Sequence, residues 1–110
     1  MNIPYRFVEG NINLNVDEII YIETNGHKNI FHLKDRSYSV YKKLGDIEDE
    51  LRAEEFVRAH QSFLVNMRYI EKISSYILTL TTGMEISVPK PRYREVKRRY
   101  AMYKEEYKNC

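Results

Sequence analysis

The sequence predicts a mainly β domain with one short amphipathic helix in mid-chain and a second helix at the C-terminus. Short runs of β-branched and aromatic residues recur along the chain, with turn-forming pairs such as Asn25-Gly26 and Thr82-Gly83 nearby. Only two segments repeat their apolar residues at helical spacing. A length of 110 residues suffices for one compact domain, so residues 1–110 are expected to form a single unit.

The first strands are expected in the N-terminal half of the chain. Residues 19–22 are a β-branched and aromatic run that predicts a strand. The turn-forming pair Asn25-Gly26 follows, and residues 29–33 are expected to form the second strand of a hairpin. Residues 37–41 alternate small polar and large side chains with the period of a half-buried strand. The spacing of Leu44, Ile47 and Leu51 then predicts a short amphipathic helix over about residues 43–54.

Strands are expected to resume after this helix, over residues 56–59 and 63–65. A further hairpin is predicted from residues 76–81 and 84–88, with Thr82-Gly83 as its turn. Pro89 and Pro91 end strand pairing because they lack a backbone donor, and Pro91 suits the first turn of a helix. The C-terminal helix is therefore expected over about residues 91–108.

Tyrosines dominate one stripe of the C-terminal helix. Tyr93, Val96, Tyr100, Tyr103 and Tyr107 follow one another at steps of three and four residues, as in a coiled coil. We expect Tyr93 and Val96 to dock on the domain's own sheet. The three outer tyrosines extend beyond what a small sheet covers, so they are expected to contact a second copy or another domain.

Charge is distributed unevenly along the chain, although the net charge is only +2. Residues 90–99 contain six basic side chains and one acid, whereas residues 46–55 contain six acids and one arginine. A basic cluster is typical of a protein that binds a polyanion, because basic side chains release counterions from phosphates. A solvated helix face would have the same composition, and it explains the acidic segment without any function.

Several classes of function are not indicated by the sequence. The chain lacks the roughly 20 apolar residues of a membrane helix and the layout of a signal peptide, so a soluble cytoplasmic protein is expected. Cys110 has no partner for a disulfide, and scattered glycines make no phosphate loop. Ser62 beside His60 lacks an orienting acid, and His27 and His32 complete no ligand pattern. We therefore expect no enzyme, metal or cofactor.

The most specific stretch is residues 56–66, Phe-Val-Arg-Ala-His-Gln-Ser-Phe-Leu-Val-Asn, followed by Ile70. It resembles the signature of the LytTR DNA-binding family, a Phe-x-Arg-x-His-x-Ser-aromatic-x-Val-Asn run with an isoleucine shortly after. The resemblance extends over about residues 12–100. Further matching positions are Ile19, Tyr21, Ile22, Glu23, Gly83, Ile86, Val88 and Tyr93.

The resemblance implies small sheets side by side and DNA binding through loops without a recognition helix. Three regions of such domains meet DNA, and their counterparts here are residues 25–29, 60–62 and 90–94. Two of them are expected to enter successive major grooves. The implied function is sequence-specific binding of double-stranded DNA for transcription regulation, as the output domain of a bacterial two-component response regulator. The receiver domain is expected to lie outside this chain, with a free-standing regulator as the alternative.

The residue types in these regions agree with that task. His27 and Asn29 are expected on an exposed turn, where they meet base edges while Lys28 meets phosphate. Gln61 has the groups to bond adenine bidentately. Ser62 and His60 are suited to anchoring a phosphate, although His60 is equally suited to bracing its loop. The candidate DNA-binding residues are His27, Lys28, Asn29, His60, Gln61, Ser62, Lys90, Arg92 and Arg94.

Two positions depart from the family pattern. Gln61 is neutral where relatives are often basic, and Pro89-Lys90 replaces the usual Ser-Arg pair. Lysine lacks the fork with which arginine recognises guanine, so Lys90 is expected to bind phosphate, and the preferred DNA sequence is expected to differ. Arg58 and Asn66 are interpreted as framework residues.

Other functions stay open at the level of sequence. The main alternative is a protein-interaction module that uses the tyrosine-rich C-terminal helix, with the basic segment serving solubility. An RNA-binding variant is a weaker option, since its stacking aromatics would cluster at exposed positions. If the partner is DNA with promoter repeats, two copies are expected to form a weak homodimer on it.

Overall fold

The computed structural model describes residues 2–51 and 55–108. Over these residues the chain forms ten strands in three antiparallel sheets, two α-helices and two short 3₁₀ turns. The strands are β1 (Asn2–Phe7), β2 (Gly10–Asn15), β3 (Tyr21–Asn25), β4 (Lys28–His32), β5 (Ser37–Val40), β6 (Phe56–His60), β7 (Phe63–Asn66), β8 (Ile70–Ser74), β9 (Ile77–Leu80) and β10 (Glu85–Ser87). The helices are α1 (Leu44–Glu50) and α2 (Lys90–Lys108). The expectation of a mainly β fold with small adjacent sheets and two helices is confirmed.

The largest sheet has five strands in the order β5-β4-β3-β7-β6. In the β3–β4 hairpin Asn25 pairs with Lys28, and in the β6–β7 hairpin His60 pairs with Phe63. β3 and β7 are antiparallel neighbours. The turns of these two hairpins therefore lie at the same end of the sheet, whereas the β4–β5 turn lies at the opposite end.

The first hydrophobic cluster lies between this sheet, the β1–β2 hairpin and α1. Phe7 and Phe31 meet edge to face with ring centroids 5.4 Å apart, and Tyr5 contacts both rings. Ile47 of α1 and Leu51 just after it are completely buried against the same cluster. Burial of an aliphatic or aromatic side chain contributes about 1.5–3 kcal/mol, so this cluster stabilises the sheet that carries the two turns.

The second hydrophobic cluster joins the five-stranded sheet to the small sheet and α2. Val57 and Val65 contribute from β6 and β7, Leu78 contributes from β9, and Val96 contributes from α2. The small sheet has the strand order β10-β9-β8. α2 contacts β6 directly. α2 is thereby held against the sheet that carries the two turns.

Three strands were not predicted from the sequence. β1 and β2 form a separate two-stranded sheet, and β2 alternates asparagines, which are depleted in strands, with apolar residues. β8 contains a register shift between Ile70 and Lys72, which interrupts the alternation. The predicted hairpin around Thr82-Gly83 is present as β9 and β10, and Gly83 has a φ of +94° that favours glycine.

The helices differ from their predicted bounds at the ends. α1 begins at Leu44 and ends at Glu50, while residues 52–54 of the predicted helix lie outside the described residues. α2 begins at Lys90, one residue before the expected start. Pro91 then occupies the first turn, where a missing backbone donor costs no hydrogen bond.

The expectation that the outer tyrosines of α2 extend past the sheet is wrong for Tyr100 and Tyr103. Both are partly buried against the second cluster. The Tyr100 hydroxyl donates to the Ile70 carbonyl at 2.9 Å. Burial raises the pKa of Tyr100 and of Tyr103, and Glu55 raises the pKa of Tyr103 further. From Tyr93 to Tyr103 the stripe therefore belongs to the domain's own core, because the small sheet extends the surface on which α2 packs. The Tyr107 side chain is outside the described part.

Candidate nucleic-acid interface

The β3–β4 turn exposes His27 at its tip. Gly26 and His27 are the two residues between Asn25 and Lys28, which pair across the hairpin. Gly26 has a φ of +65°, a conformation that favours glycine at the first position of such a turn. His27 is exposed, and the Lys28 ammonium lies 5.6 Å from the centroid of the Tyr41 ring. The turn therefore presents an imidazole and a cation side by side.

Asn29 occupies a different environment from the exposed turn expected for it. It lies within β4 and is buried, with 4% of its surface exposed. Its amide oxygen accepts a hydrogen bond from the Thr24 hydroxyl at 2.7 Å, and its amide nitrogen donates to the Lys42 carbonyl. Both polar groups are engaged inside the protein, so the expectation of an exposed Asn29 is wrong. The side chain holds the end of β5 against the β3–β4 hairpin.

The β6–β7 turn presents His60, Gln61 and Ser62. The Ser62 backbone N–H donates to His60 Nδ1 at 3.0 Å, which assigns the proton of the neutral imidazole to Nε2. The His60 ring also meets Phe63 edge to face at 5.6 Å. His60 therefore braces its loop through Nδ1 and retains Nε2 as a donor, so the two roles expected for it are compatible. Gln61 is exposed and Ser62 is half-buried.

Arg58 fixes this turn from behind. Its Nε donates to the His60 carbonyl at 3.0 Å, and one terminal nitrogen donates to the Gln61 carbonyl. The other terminal nitrogen pairs with Glu48 of α1 at 2.7 Å. The β6–β7 register shifts between Arg58 and His60, and such bulges re-aim side chains. As predicted, Arg58 is a framework residue, because its side chain is committed within the domain.

Asn66 is the second framework residue predicted from the signature. Its amide nitrogen donates to the Ile19 carbonyl at 2.9 Å, and its amide oxygen accepts from the Arg68 backbone at 3.0 Å. The side chain is buried, with 2% of its surface exposed. Asn66 thus links the end of β7 to the residues that precede β3.

A backbone hydrogen bond joins the two turns. The Thr24 N–H donates to the Ser62 carbonyl at 2.9 Å, just beyond the regular pairing of β3 and β7. The segment that follows β5 lies beside them, because Lys42 accepts from Asn29 and Tyr41 lies under Lys28. Tyr41 is 69% exposed and Lys43 is exposed as well. Sequence reasoning missed both residues, since it assigned them to a strand end and a helix start.

The basic segment at the start of α2 faces the same end of the molecule. Tyr103 is near Glu55, the residue before β6, while β6 runs from Phe56 to His60. α2 contacts β6, and Val96 belongs to the same cluster as Val57 and Ala59, so we infer that the earlier turns of α2 lie toward the His60 end of that strand. Lys90 and Arg94 are exposed and Arg92 is half-buried. The three regions expected to meet DNA therefore lie at one end.

Two acidic side chains of α1 are paired with basic ones. Glu48 pairs with Arg58, and Glu50 pairs with the Lys42 ammonium at 2.6 Å. On α2, a hydrogen bond from Arg98 lowers the pKa of the Glu95 carboxyl. These pairs offset acidic charge behind the turns. Cationic side chains on or beside these regions include Lys28, Lys43, Lys90, Arg92 and Arg94.

The histidines do not gather into a metal site in the described part of the chain. His32 pairs with Glu23 at 2.7 Å and stacks on Tyr21, away from the β3–β4 turn that carries His27. Among residues 2–51 and 55–108, no group of three or more His, Cys, Asp or Glu side chains has the arrangement of a metal site. Within the same residues, no helix combines the length and apolarity that a membrane span requires.

A mainly β domain with two braced turns and a basic helix start at one end has the features of a protein that contacts DNA through loops. The chain belongs to the LytTr DNA-binding domain family, whose model matches residues 9–101. The resemblance expected from residues 56–66 is therefore confirmed, and the chain is a DNA-binding domain.

Individual relatives agree with this membership. The chain is 38% identical over 87 residues to the sensory transduction protein LytT of Bacillus subtilis, with 74% of this chain and 36% of LytT covered. It is 32% identical over 59 residues to the transcriptional regulatory protein NatR of the same organism, with 54% of this chain and 25% of NatR covered. The chain thus spans about a third or less of these relatives.

A solved structure has the same fold. It is the LytTr DNA-binding domain of a putative methyl-accepting/DNA response regulator from Bacillus cereus, with a TM-score of 0.74 and 21% sequence identity. The match covers 91% of this chain and 95% of that structure.

Proposed function

We propose that this domain regulates transcription by binding double-stranded DNA sequence-specifically through its two joined turns. The observation that carries the proposal is the hydrogen bond from the Thr24 N–H to the Ser62 carbonyl. It holds the His27 and Gln61 turns in a fixed relation. Because the two turns are already held in a fixed relation, they bind DNA without a further loss of conformational entropy in the loops.

The exposed side chains at the turn tips are the base-reading groups of the proposal. Gln61 has both an amide donor and an acceptor, which suit N7 and N6 of adenine in a major groove. His27 projects from the neighbouring turn, where its imidazole donates to or accepts from a base edge. His60 Nε2 and the Ser62 hydroxyl act as phosphate donors. Asn29 serves as the support of the first turn instead of a DNA contact.

The basic side chains supply the phosphate contacts. We assign this role to Lys90, Arg92 and Arg94 at the start of α2, and to Lys28 and Lys43 near the first turn. Each phosphate neutralised by such a side chain releases counterions, which gives affinity for any DNA sequence. Base contacts at the turns then add the preference for one sequence. The role is one of binding, with no catalytic step.

The domain is proposed to act in the cytoplasm as the output part of a two-component response regulator. The names of LytT and NatR describe a sensory transduction protein and a transcriptional regulatory protein, and this chain spans only part of each. A receiver domain outside this chain would supply the signal. Two copies on promoter repeats would gain effective concentration from DNA without a strong protein interface.

Selection from a pool of random duplexes tests the proposal. It should recover a consensus sequence, and on that consensus Gln61→Ala or His27→Ala should each cost about 1–3 kcal/mol of binding free energy. The loss on random DNA should be much smaller. Arg36→Ala at the β4–β5 turn is the control, because that turn is at the opposite end of the sheet. No consensus, or equal losses on both DNAs, would refute sequence reading by these turns.

A further inference from the structure

The β8–β9 turn has a backbone conformation that its residues disfavour. Ser75 and Tyr76 are the two residues between Ser74 and Ile77, which pair across the hairpin. Their φ angles are +53° and +65°. Two-residue turns with both residues in this region favour Asn-Gly, because a β-carbon there is crowded by the backbone. A bulky tyrosine in this position is a true outlier.

The packing of the Tyr76 ring only partly explains why a tyrosine occupies this turn position. The ring centroids of Tyr76 and of Tyr93 in α2 are 4.3 Å apart. The Tyr76 carbonyl accepts a hydrogen bond from the Val88 N–H at 2.9 Å. A carbonyl contact is available to any residue, and the Tyr76 residue remains 46% exposed. Turn residues held in disfavoured conformations concentrate at functional sites. A requirement for the exposed part of the ring would explain why tyrosine stands here.

The position of Tyr76 relative to the basic segment indicates what the exposed ring meets. Tyr93 lies between Arg92 and Arg94 in the first turns of α2, and the Lys97 ammonium lies 5.5 Å from the centroid of its ring. Tyr76 thus contacts the residue that lies between two of the cations that the proposed function assigns to phosphate. A phenol at such a place donates its hydroxyl to a phosphate oxygen and covers the sugar with its ring edge.

We infer that Tyr76 is a DNA-backbone contact, which the β8–β9 turn holds beside the basic segment at the cost of a disfavoured conformation. The inference rests on the proposed function and adds a fourth region to the interface. The hydroxyl is neutral, so its contact with phosphate releases no counterion. Tyr76 therefore contributes affinity without contributing to the salt dependence, unlike Arg92 and Arg94.

Tyr76→Phe is the decisive variant, because it keeps the ring and removes only the hydroxyl. Binding to a fluorescein-labelled random-sequence duplex should weaken about three- to tenfold at every salt concentration, with an unchanged slope of log affinity against log salt. The melting temperature should stay the same. Unchanged affinity would overturn the inference. A lower slope would also overturn it, because it would mean that Tyr76 only positions the arginines.

Two variants of the β8–β9 turn test whether its disfavoured conformation serves to present the Tyr76 ring to DNA. The double variant Ser75→Asn with Tyr76→Gly installs the preferred turn pair, so it should bind DNA at least as weakly as Tyr76→Phe while melting no lower than the natural protein. Ser75→Asn alone is the matched control and should retain full affinity. A double variant that binds DNA normally would overturn the inference.

Arg94→Ala separates failure of this inference from failure of the proposed function. If Arg94→Ala weakens binding and lowers the salt slope while Tyr76→Phe does neither, the basic segment binds DNA and Tyr76 does not. If neither variant weakens binding, the proposed surface itself is wrong, and the inference is overturned with it.

Discussion

At the scale of single residues, polar side chains with little exposure hold neighbouring segments of the domain together. Arg58, Asn29 and Asn66 each use their polar groups on backbone carbonyls or neighbouring side chains within the domain. Arg58 and Asn66 were recognisable from the sequence, because the signature contains them among strand residues. The role of Asn29 was not recognisable, because the sequence around an asparagine near a turn does not show whether its side chain faces solvent or the interior.

Arg58→Lys tests how far the β6–β7 turn depends on its support. Lysine keeps the charge but loses the planar fork that reaches the His60 and Gln61 carbonyls and Glu48. The free energy of unfolding should fall by about 1–3 kcal/mol, and sequence-specific DNA binding should weaken more than binding to random DNA. Urea denaturation and titrations with both DNAs measure the two effects.

Glu48→Gln is the matched control for the arginine variant. It weakens the pairing of Arg58 with α1 and leaves both carbonyl contacts intact. DNA binding should therefore change little. If Glu48→Gln impairs binding as much as Arg58→Lys, the support comes from α1 and not from the contacts with the turn.

Elements with strong local patterns were predictable from the sequence, whereas those formed by long-range pairing were not. The β3–β4 and β9–β10 hairpins carry turn glycines and β-branched strands, and α2 carries a helical stripe. β2 alternates asparagines with apolar residues, and β1 packs on the core through the contacts of Tyr5 and Phe7 with Phe31. The outer part of the stripe was misassigned because the sequence does not reveal that β8 extends the surface beneath α2.

Tyr100→Phe tests the docking of α2. It removes the hydrogen bond to the Ile70 carbonyl and should cost about 1 kcal/mol of unfolding free energy at neutral pH. Burial raises the pKa of Tyr100 above its ordinary value of about 10. The neutral phenol is therefore favoured by folding, and this contribution is complete below pH 10 and is lost as pH rises through the raised pKa.

Urea unfolding at neutral and alkaline pH measures both parts of this prediction. The natural protein should lose stability above about pH 10, and the loss should be shallower in Tyr100→Phe. Tyr21, Tyr69 and Tyr103 also have pKa values raised first by burial, so part of the alkaline loss should remain in the variant. An equally steep loss in both proteins would exclude Tyr100 as a source of the pH dependence.

Charge is organised at the scale of the whole molecule in a way that the net value of +2 conceals. Glu48 and Glu50 of α1 pair with Arg58 and Lys42 behind the turns, while Arg92 and Arg94 occupy the start of α2. The sequence predicted both charged segments. It did not predict that Glu48 and Glu50 would pair with Arg58 and Lys42, because these pairs depend on where α1 packs.

Replacement of Arg92 and Arg94 by alanine should weaken binding to all DNA sequences alike. The slope of log affinity against log salt should fall by about one unit for each phosphate that the variant no longer neutralises. Arg36→Ala removes the same charge at the opposite end of the sheet, so it should leave the slope nearly unchanged. A double variant with the natural slope would remove both arginines from the interface.

The shortness of the two joined turns has a consequence for how such regulators diversify. Each tip consists of two residues, Gly26-His27 and Gln61-Ser62, and the strands behind them pair without using the outward side chains at 27 and 61. A duplicated gene therefore has a short mutational route to a new operator, since substitution at these two positions changes recognition without repacking the interior. For protein engineering, the same two positions are the natural place for a small combinatorial library.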